Sequence, residues 1–261
     1  MCATVKTIED MLNELAPVET AEGFDNVGAL VGRRDAEVNS VLVALDCTMD
    51  VVKEALEKKA QLIVTHHPLL FHARKNLLEE DAEGKILCAL VRNHLSLIAA
   101  HTNLDQTVFS GSAACGRLLG LLNLRKETPY LFLGELPEAC SAGQLTGKIT
   151  KALRFPVRCY GDENALISTL AIAGGADDGD WEAAKSLGAQ ALLTGEVRHH
   201  NALAASMSDF VLFDGGHYGT EAPLVQPLAE YLQNRLNGVQ YNVRVYPSQC
   251  VPFGYVEDKE G

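Results

Sequence analysis

Apolar residues recur along this chain in two rhythms. Short continuous apolar runs stand at 40–45, 62–64, 95–100, 169–173, 191–193 and 210–213, and they alternate with longer stretches at 49–59, 83–93, 180–187 and 198–206 in which apolar positions fall at helical spacing. Strands that are apolar throughout, instead of alternating, are those with helices over both sheet faces. Repeated strand-helix order of this kind builds a parallel sheet. Upstream, Thr7–Leu12 predicts a short amphipathic helix with Thr7 as N-cap, acids in its first turn and Pro17 beyond its end. Phe24-Asp25-Asn26-Val27-Gly28, followed by Gly32, is loop-like, because Asn and Gly tolerate positive φ. A last helix is expected over about 220–236, kinked or delayed by Pro227, and the polar end Glu257–Gly261 is expected to fray.

Between about 128 and 168 the rhythm weakens, and Gly134, Pro137, Gly143, Gly147, Pro156 and Gly161 cut the chain into short pieces. Leu145–Leu153 is the best helix there and Arg158–Gly161 a strand end. The expected organisation is therefore α/β in two lobes, with mixed or parallel sheets covered by helices. Residues 1–127 and 208–261 form the first lobe, and 128–207 are inserted as the second. The halves resemble each other too loosely to count as a repeat.

Composition narrows the function classes. A net charge of −12 without any Lys/Arg-rich block repels a nucleic-acid backbone, so no nucleic-acid partner is expected. The seven cysteines are scattered and form no CxxC pair, as reduced core thiols do. There is no secretory core at the start and no apolar run of spanning length, so the expected setting is the cytoplasm, with no membrane contact.

The predicted strands stop abruptly on chemistry. Asp46 follows the first, Thr65-His66-His67-Pro68 the second, His101-Thr102-Asn103-Leu104-Asp105 the third, and Gly216-His217-Tyr218-Gly219-Thr220-Glu221 the last. In open α/β sheets ligands bind at the carboxyl ends of strands. His101 with Asp105, and His217 with Glu221, are four residues apart and converge if a helical turn links them. Imidazoles and carboxylates without thiolates make a hard-to-borderline metal site. At least four imidazoles and two carboxylates exceed what one catalytic ion uses, which favours two ions. A histidine after a strand is also commonly a hydrogen-bonded structural residue, and that is the expectation for His72 and His94. Gly174-Gly175 lacks the spacing of a phosphate-binding loop. Glu196, His199 and His200 form a fourth polar cluster. They suit a group that supports metal ligands, an acid and base set or a substrate clamp, and equally the solvated start of a helix.

The Phe24–Gly28 stretch, Thr65–Phe71, His101–Asp105, Gly195–His200 and Gly216–Glu221 together resemble, in order and across nearly the whole chain, the NIF-three-like proteins, often named GTP cyclohydrolase I type 2 homologues. That resemblance implies a NIF-three-like fold of two α/β lobes, a toroidal homohexamer and a dinuclear metal centre. Its ligands here would be His66, His67, Asp105, His217 and Glu221, with Glu221 bridging and His101 close by. Glu196, His199 and His200 match a further polar motif of the family. Two departures stand out: Phe24 takes a place where the family commonly has Trp, and Ala29 interrupts its Asn-x-Gly-Leu run before Leu30.

The expected function is that of a metal-dependent hydrolase. It would act on a small nucleotide-like, phosphorylated or cyclic substrate through a metal-bound hydroxide, with two divalent ions per chain (Fe, Zn, Mn or Co) and with Glu196, His199, His200 and His101 as catalytic candidates. Arg33, Arg34, Arg74 and Arg198 are candidate substrate donors. The alternatives are a non-catalytic metal-binding protein for delivery, storage or regulation, and an adaptor whose metals stabilise the fold.

Overall fold

The computed structural model describes residues 2–176 and 180–253; the expected frayed end at Glu257–Gly261 lies outside the described residues. In chain order the first elements are β1 (Ala3–Thr4), α1 (Val5–Leu15), β2 (Gly28–Val31), β3 (Glu37–Val38), β4 (Ser40–Ala44), α2 (Met49–Glu57), β5 (Leu62–Thr65), α3 (Ala82–Arg92), β6 (Ser96–Ala99) and α4 (Thr102–Asp105). Then follow α5 (Gly111–Leu118), β7 (Leu122–Lys126), β8 (Phe132–Ser141), α6 (Ala142–Leu153), β9 (Arg158–Tyr160), β10 (Leu166–Ala173), α7 (Trp181–Ser186), β11 (Ala191–Thr194), α8 (His199–Met207), β12 (Val211–Asp214) and α9 (His217–Glu221). The chain closes with α10 (Val225–Gly238) and β13 (Arg244–Pro247).

Two compact units result, one of residues 1–107 with 225–261 and the other of 108–224. This division differs from one at 127/128 and 207/208, for a pairing reason. Strands β7 and β8 extend the second unit's sheet, and β12 pairs in parallel with β11. The His217–Glu221 motif after β12 therefore belongs to the second unit.

The first unit holds a five-stranded sheet in the order β13-β4-β5-β6-β2, parallel except for β2. On one face, Val51, Val52 and Ala55 of α2 and Leu90 of α3 pack on Leu42, Ala44, Ile63 and Leu97. Helix α10 lies against β4 and β13. Such double cover is why β4, β5 and β6 are buried at every position. The second unit holds six strands in the order β7-β8-β10-β11-β12-β9, with β10, β11 and β12 parallel. Its core joins Leu145 and Ile149 of α6 to Ile172, Leu193 and Phe213.

Several local expectations move. Helix α1 starts at Val5, not Thr7: Thr4 is the N-cap, taking the Thr7 amide at 3.2 Å, while the Thr7 hydroxyl takes the Thr4 amide at 3.1 Å. That reciprocal box replaces acids in the first turn. Residues after Phe24–Val27 form β2, antiparallel to β6, and β13 is an edge strand that the pattern does not announce. In β8 the interrupting Pro137 falls between the paired positions Glu135 and Cys140, where the register shifts and no ladder amide is needed. The terminal helical stretch breaks after Glu221, and Pro227 sits in the first turn of α10, where a missing amide costs little.

Although the halves look dissimilar in sequence, one device occurs in both. The Gln61 side-chain oxygen takes the amides of Asn39 and Ser40 at 2.8 and 3.1 Å, and its own amide bonds the Ser40 carbonyl at 3.1 Å. Gln190 does the same with the amides of Ser168 and Thr169 at 3.1 and 2.7 Å and the Thr169 carbonyl at 3.1 Å. Each glutamine starts the middle strand of a parallel trio, β5 or β11.

Candidate metal centre

In the first unit the carboxyl ends of β4, β5 and β6 carry Asp46, His66-His67 and His101, on one edge because the three strands are parallel. One ligand atom from each of His66, His67 and His101 lies within 4.8 Å of the others. Thr65 ends β5 and its hydroxyl donates to the His67 carbonyl at 2.9 Å, which turns the chain ahead of Pro68. His66 is fully buried, and its Nδ1 lies 2.9 Å from the carbonyl of Ala100. A carbonyl only accepts, so the proton is on Nδ1 and Nε2 carries the lone pair. That Nε2 is 3.5 Å from Asp105 Oδ1, at the end of the single helical turn α4.

His67 and His101 are oriented in the same manner by carboxylates. Asp46 Oδ1 is 2.7 Å from His67 Nδ1, and Asp25 Oδ1 is 2.9 Å from His101 Nδ1. Asp25 also takes the amide and hydroxyl of Thr102, at 3.1 and 2.5 Å, and its side chain is screened from solvent. Burial pushes the Asp25 carboxyl up, but the bonds from Thr102 and His101 outweigh it and hold it below the usual aspartate range. Burial, with His66 alongside, pulls His101 below the usual histidine value, so the ring is neutral at neutral pH. A neutral imidazole whose Nδ1 is anchored leaves its Nε2 suited to metal ligation.

In the second unit the parallel strands β10, β11 and β12 end in Gly174-Gly175, Gly195-Glu196 and Gly215-Gly216-His217. Helix α9 starts at His217 and returns Glu221 one turn on, so that His217 Nε2 lies 3.0 Å from Glu221 Oε2. Glu221 is only 5% exposed. His217 Nδ1 lies 2.9 Å from Glu196 Oε1. Beneath the helix the buried Cys115 thiol donates to the Thr220 carbonyl at 3.1 Å, and burial pushes that thiol up to about 12. Gly175 has φ of +75°, and a Cβ there would sit 2.3 Å from Glu221 Oε1. This glycine is needed for the carboxylate's position.

The sequence candidates are thus gathered in two groups, His66, His67, His101 and Asp105 in one unit and Glu196, His217 and Glu221 in the other. His199 and His200 are exposed on the first turn of α8, away from these hydrogen bonds. His72 and His94 are exposed, His94 in a left-handed turn before β6. Arg33, Arg34 and Arg74 are engaged with Asp35, Glu9 and the pair Asp81 and Glu83. Asp25 and Asp46 stand in segments singled out by sequence, but their role was missed. Their partners are 76 and 21 residues away, which no local spacing discloses.

The chain is 30% identical over 259 residues to a GTP cyclohydrolase 1 type 2 homolog of Clostridium acetobutylicum, covering 95% of this chain and 97% of that one. A namesake from Streptomyces coelicolor is 31% identical over 257 residues, covering 92% and 89%. Among solved structures, a hypothetical protein of Staphylococcus aureus superposes with a TM-score of 0.93 at 29% identity, over 98% of this chain and all of the other. A Bacillus cereus protein related to NIF3 shares the fold at a TM-score of 0.92 and 21% identity, over 98% and 100%. The family model for Duf34/NIF3 (NGG1p interacting factor 3) matches residues 3–252, and the chain belongs to that family.

Proposed function

We propose that this protein binds two divalent metal ions through His66, His67, Asp105, His217 and Glu221, and hydrolyses a small nucleotide-like, phosphorylated or cyclic substrate. The observation that carries the reading is the uniform engagement of Nδ1. In His66, His67 and His217 that nitrogen meets a carbonyl or a carboxylate, so Nε2 is the nitrogen a metal takes. An all-nitrogen-and-oxygen donor set suits Fe, Zn, Mn or Co. Bound ions would supply Lewis acidity, polarising the scissile group and acidifying water.

The chain's own residues then divide the remaining work. Asp46 and Glu196 hold the rings of His67 and His217 and raise their basicity, and Asp25 does the same for His101. His101, with ring centroids 5.1 and 5.5 Å from His66 and His67, is placed to hold or orient a polar group of substrate. His199 and His200, exposed on α8, are the proton-transfer candidates. The assembly proposed with this reading is a homohexamer, and the setting the cytoplasm; no helix among the described residues is long and apolar enough to cross a membrane.

Elemental analysis of reconstituted protein tests the reading. About two ions per chain are expected, and Glu221→Ala should lose more than one if that carboxylate bridges. A single ion, indifferent to Glu221→Ala, overturns it. Light scattering should give the mass of six chains. Metal-loaded protein screened against phosphoesters, nucleotides and cyclic amides, with a ligand variant as blank, should reveal turnover; full loading without turnover would favour metal delivery or storage instead.

A further inference from the structure

Two phenyl rings stand in solvent beside the three-histidine group. Phe24 is 66% exposed and Phe71 39% exposed, and their centroids are 6.2 Å apart at 62°. Phe71 in turn lies edge-on to His101, 6.3 Å away at 80°, and to His72 at 5.0 Å and 72°. The rings are not on a loose loop. Asn26 Nδ2 donates to the Leu70 carbonyl at 2.6 Å, which ties the Phe24 loop to the Phe71 loop. Asp25, next to Phe24, is bonded to His101 and Thr102.

An exposed phenyl ring forgoes burial worth about 1.5–3 kcal/mol, and here hydrogen bonds of the adjacent Asp25 and Asn26 hold the loops that carry the rings. Such an arrangement makes sense when a ligand completes it. We infer that Phe24 and Phe71 form a stacking subsite for a planar heteroaromatic ring of the substrate, adjoining the metal-binding histidines. The inference deepens the proposed function and rests on its metal centre. At 6.2 Å the two rings already meet edge to face, so a flat ring would stack on the more exposed Phe24, with Phe71 backing it. Beside Phe71 the exposed His72 ring, 5.0 Å away, can bond the heteroatoms of such a ring.

The test compares two probes, guanosine monophosphate and ribose 5-phosphate, on metal-free and zinc-loaded protein by calorimetric titration. Guanosine monophosphate should bind at least about tenfold more tightly, and Phe24→Ala and Phe71→Ala should each weaken it by about 5–150-fold, the usual range for losing one stacked base. Ribose 5-phosphate affinity and metal per chain should stay unchanged in both variants. Phe24→Trp should keep the preference and add an indole whose fluorescence the nucleotide quenches. Equal affinity for the two probes, no measurable binding of the nucleotide, or variants that bind it as the parent does would each overturn the subsite. A smaller mass in Phe24→Ala with nucleotide binding intact would overturn it in favour of a subunit contact. A ring preference in protein that takes up no zinc on loading would uphold the subsite and overturn the metal centre.

Discussion

Glu196 and His217 are joined at 2.9 Å although 21 residues separate them, one following β11 and the other following β12. The bond fixes the tautomer of His217 and points its Nε2 at Glu221, 3.0 Å away. Glu196 is thereby a positioning residue for a proposed metal ligand. Glu196→Ala should weaken metal affinity about 10–100-fold, the usual effect of removing such a partner. Glu196→Gln, whose amide oxygen still accepts from Nδ1, should retain most of it, and His200→Ala should retain it all. Competition with a chromophoric chelator checks the order of the three; equal affinities would return Glu196 to the role of a helix-start carboxylate.

Gly175 and Gly188 both have positive φ but differ in surroundings. A Cβ at Gly175 meets Glu221 Oε1 at 2.3 Å, whereas nothing lies within 4 Å of one at Gly188. Gly188→Ala should cost about 1–2 kcal/mol from backbone strain alone. Gly175→Ala should cost a similar amount, about 1–2 kcal/mol, from strain, since the atom it meets is the movable end of a side chain, but it should also lower metal affinity by displacing Glu221. Chemical denaturation and chelator competition on both variants separate the two effects.

Thiol chemistry should split the cysteines sharply. Burial pushes the thiols of Cys47 and Cys115 up to about 12, while Cys2 is exposed. At pH 8 an alkylating reagent should label Cys2 quickly and leave Cys47 and Cys115 untouched until the protein is unfolded. Mass spectrometry of a time course decides it, and prompt labelling of Cys115 would mean that the floor beneath α9 opens readily.

The Glu9 and Arg34 pair sets an acid dependence. Hydrogen bonds from Arg34 outweigh partial burial and hold the Glu9 carboxyl below its usual range. A carboxylate depressed on folding adds stability that is present above its unfolded value and is lost as pH falls through the folded one. The loss should therefore come below about pH 4.3, and Arg34→Met should shift acid unfolding to higher pH. An unchanged acid midpoint in that variant would show that the pair adds nothing.

Much of the fold was legible because burial left a plain mark: β4, β5, β6, β11 and β12 each hold an unbroken run of at least three apolar residues and lead into the polar residues of the candidate site. The five proposed ligands were visible for the same reason. What was hidden depends on distant pairing. Strand β2 follows a loop-like sequence and exists through its ladder with β6, and β8 carries Gly134 and Pro137 that argue against any strand. The division into 1–107 with 225–261 and 108–224 differs from the one the rhythm suggests because a βα rhythm records neighbours in sequence and not which sheet a strand joins. Asp25 and Asp46 escaped because a carboxylate's use is decided by the ring it meets.

The first unit is written in two instalments, and that has consequences for synthesis on the ribosome. Residues 108–224 emerge as one uninterrupted stretch and can fold as soon as they clear the exit tunnel. The sheet that carries His66, His67 and His101 must wait, since β13, the neighbour of β4, is translated only at Arg244–Pro247. During that interval β4 has an open edge and no α10 over it, a surface prone to pairing with other chains. Nascent chains arrested when residue 224 has just cleared the tunnel, with β13 still inside it, should consequently be bound by chaperones through the early half of the polypeptide, with the later-made unit already protected from protease.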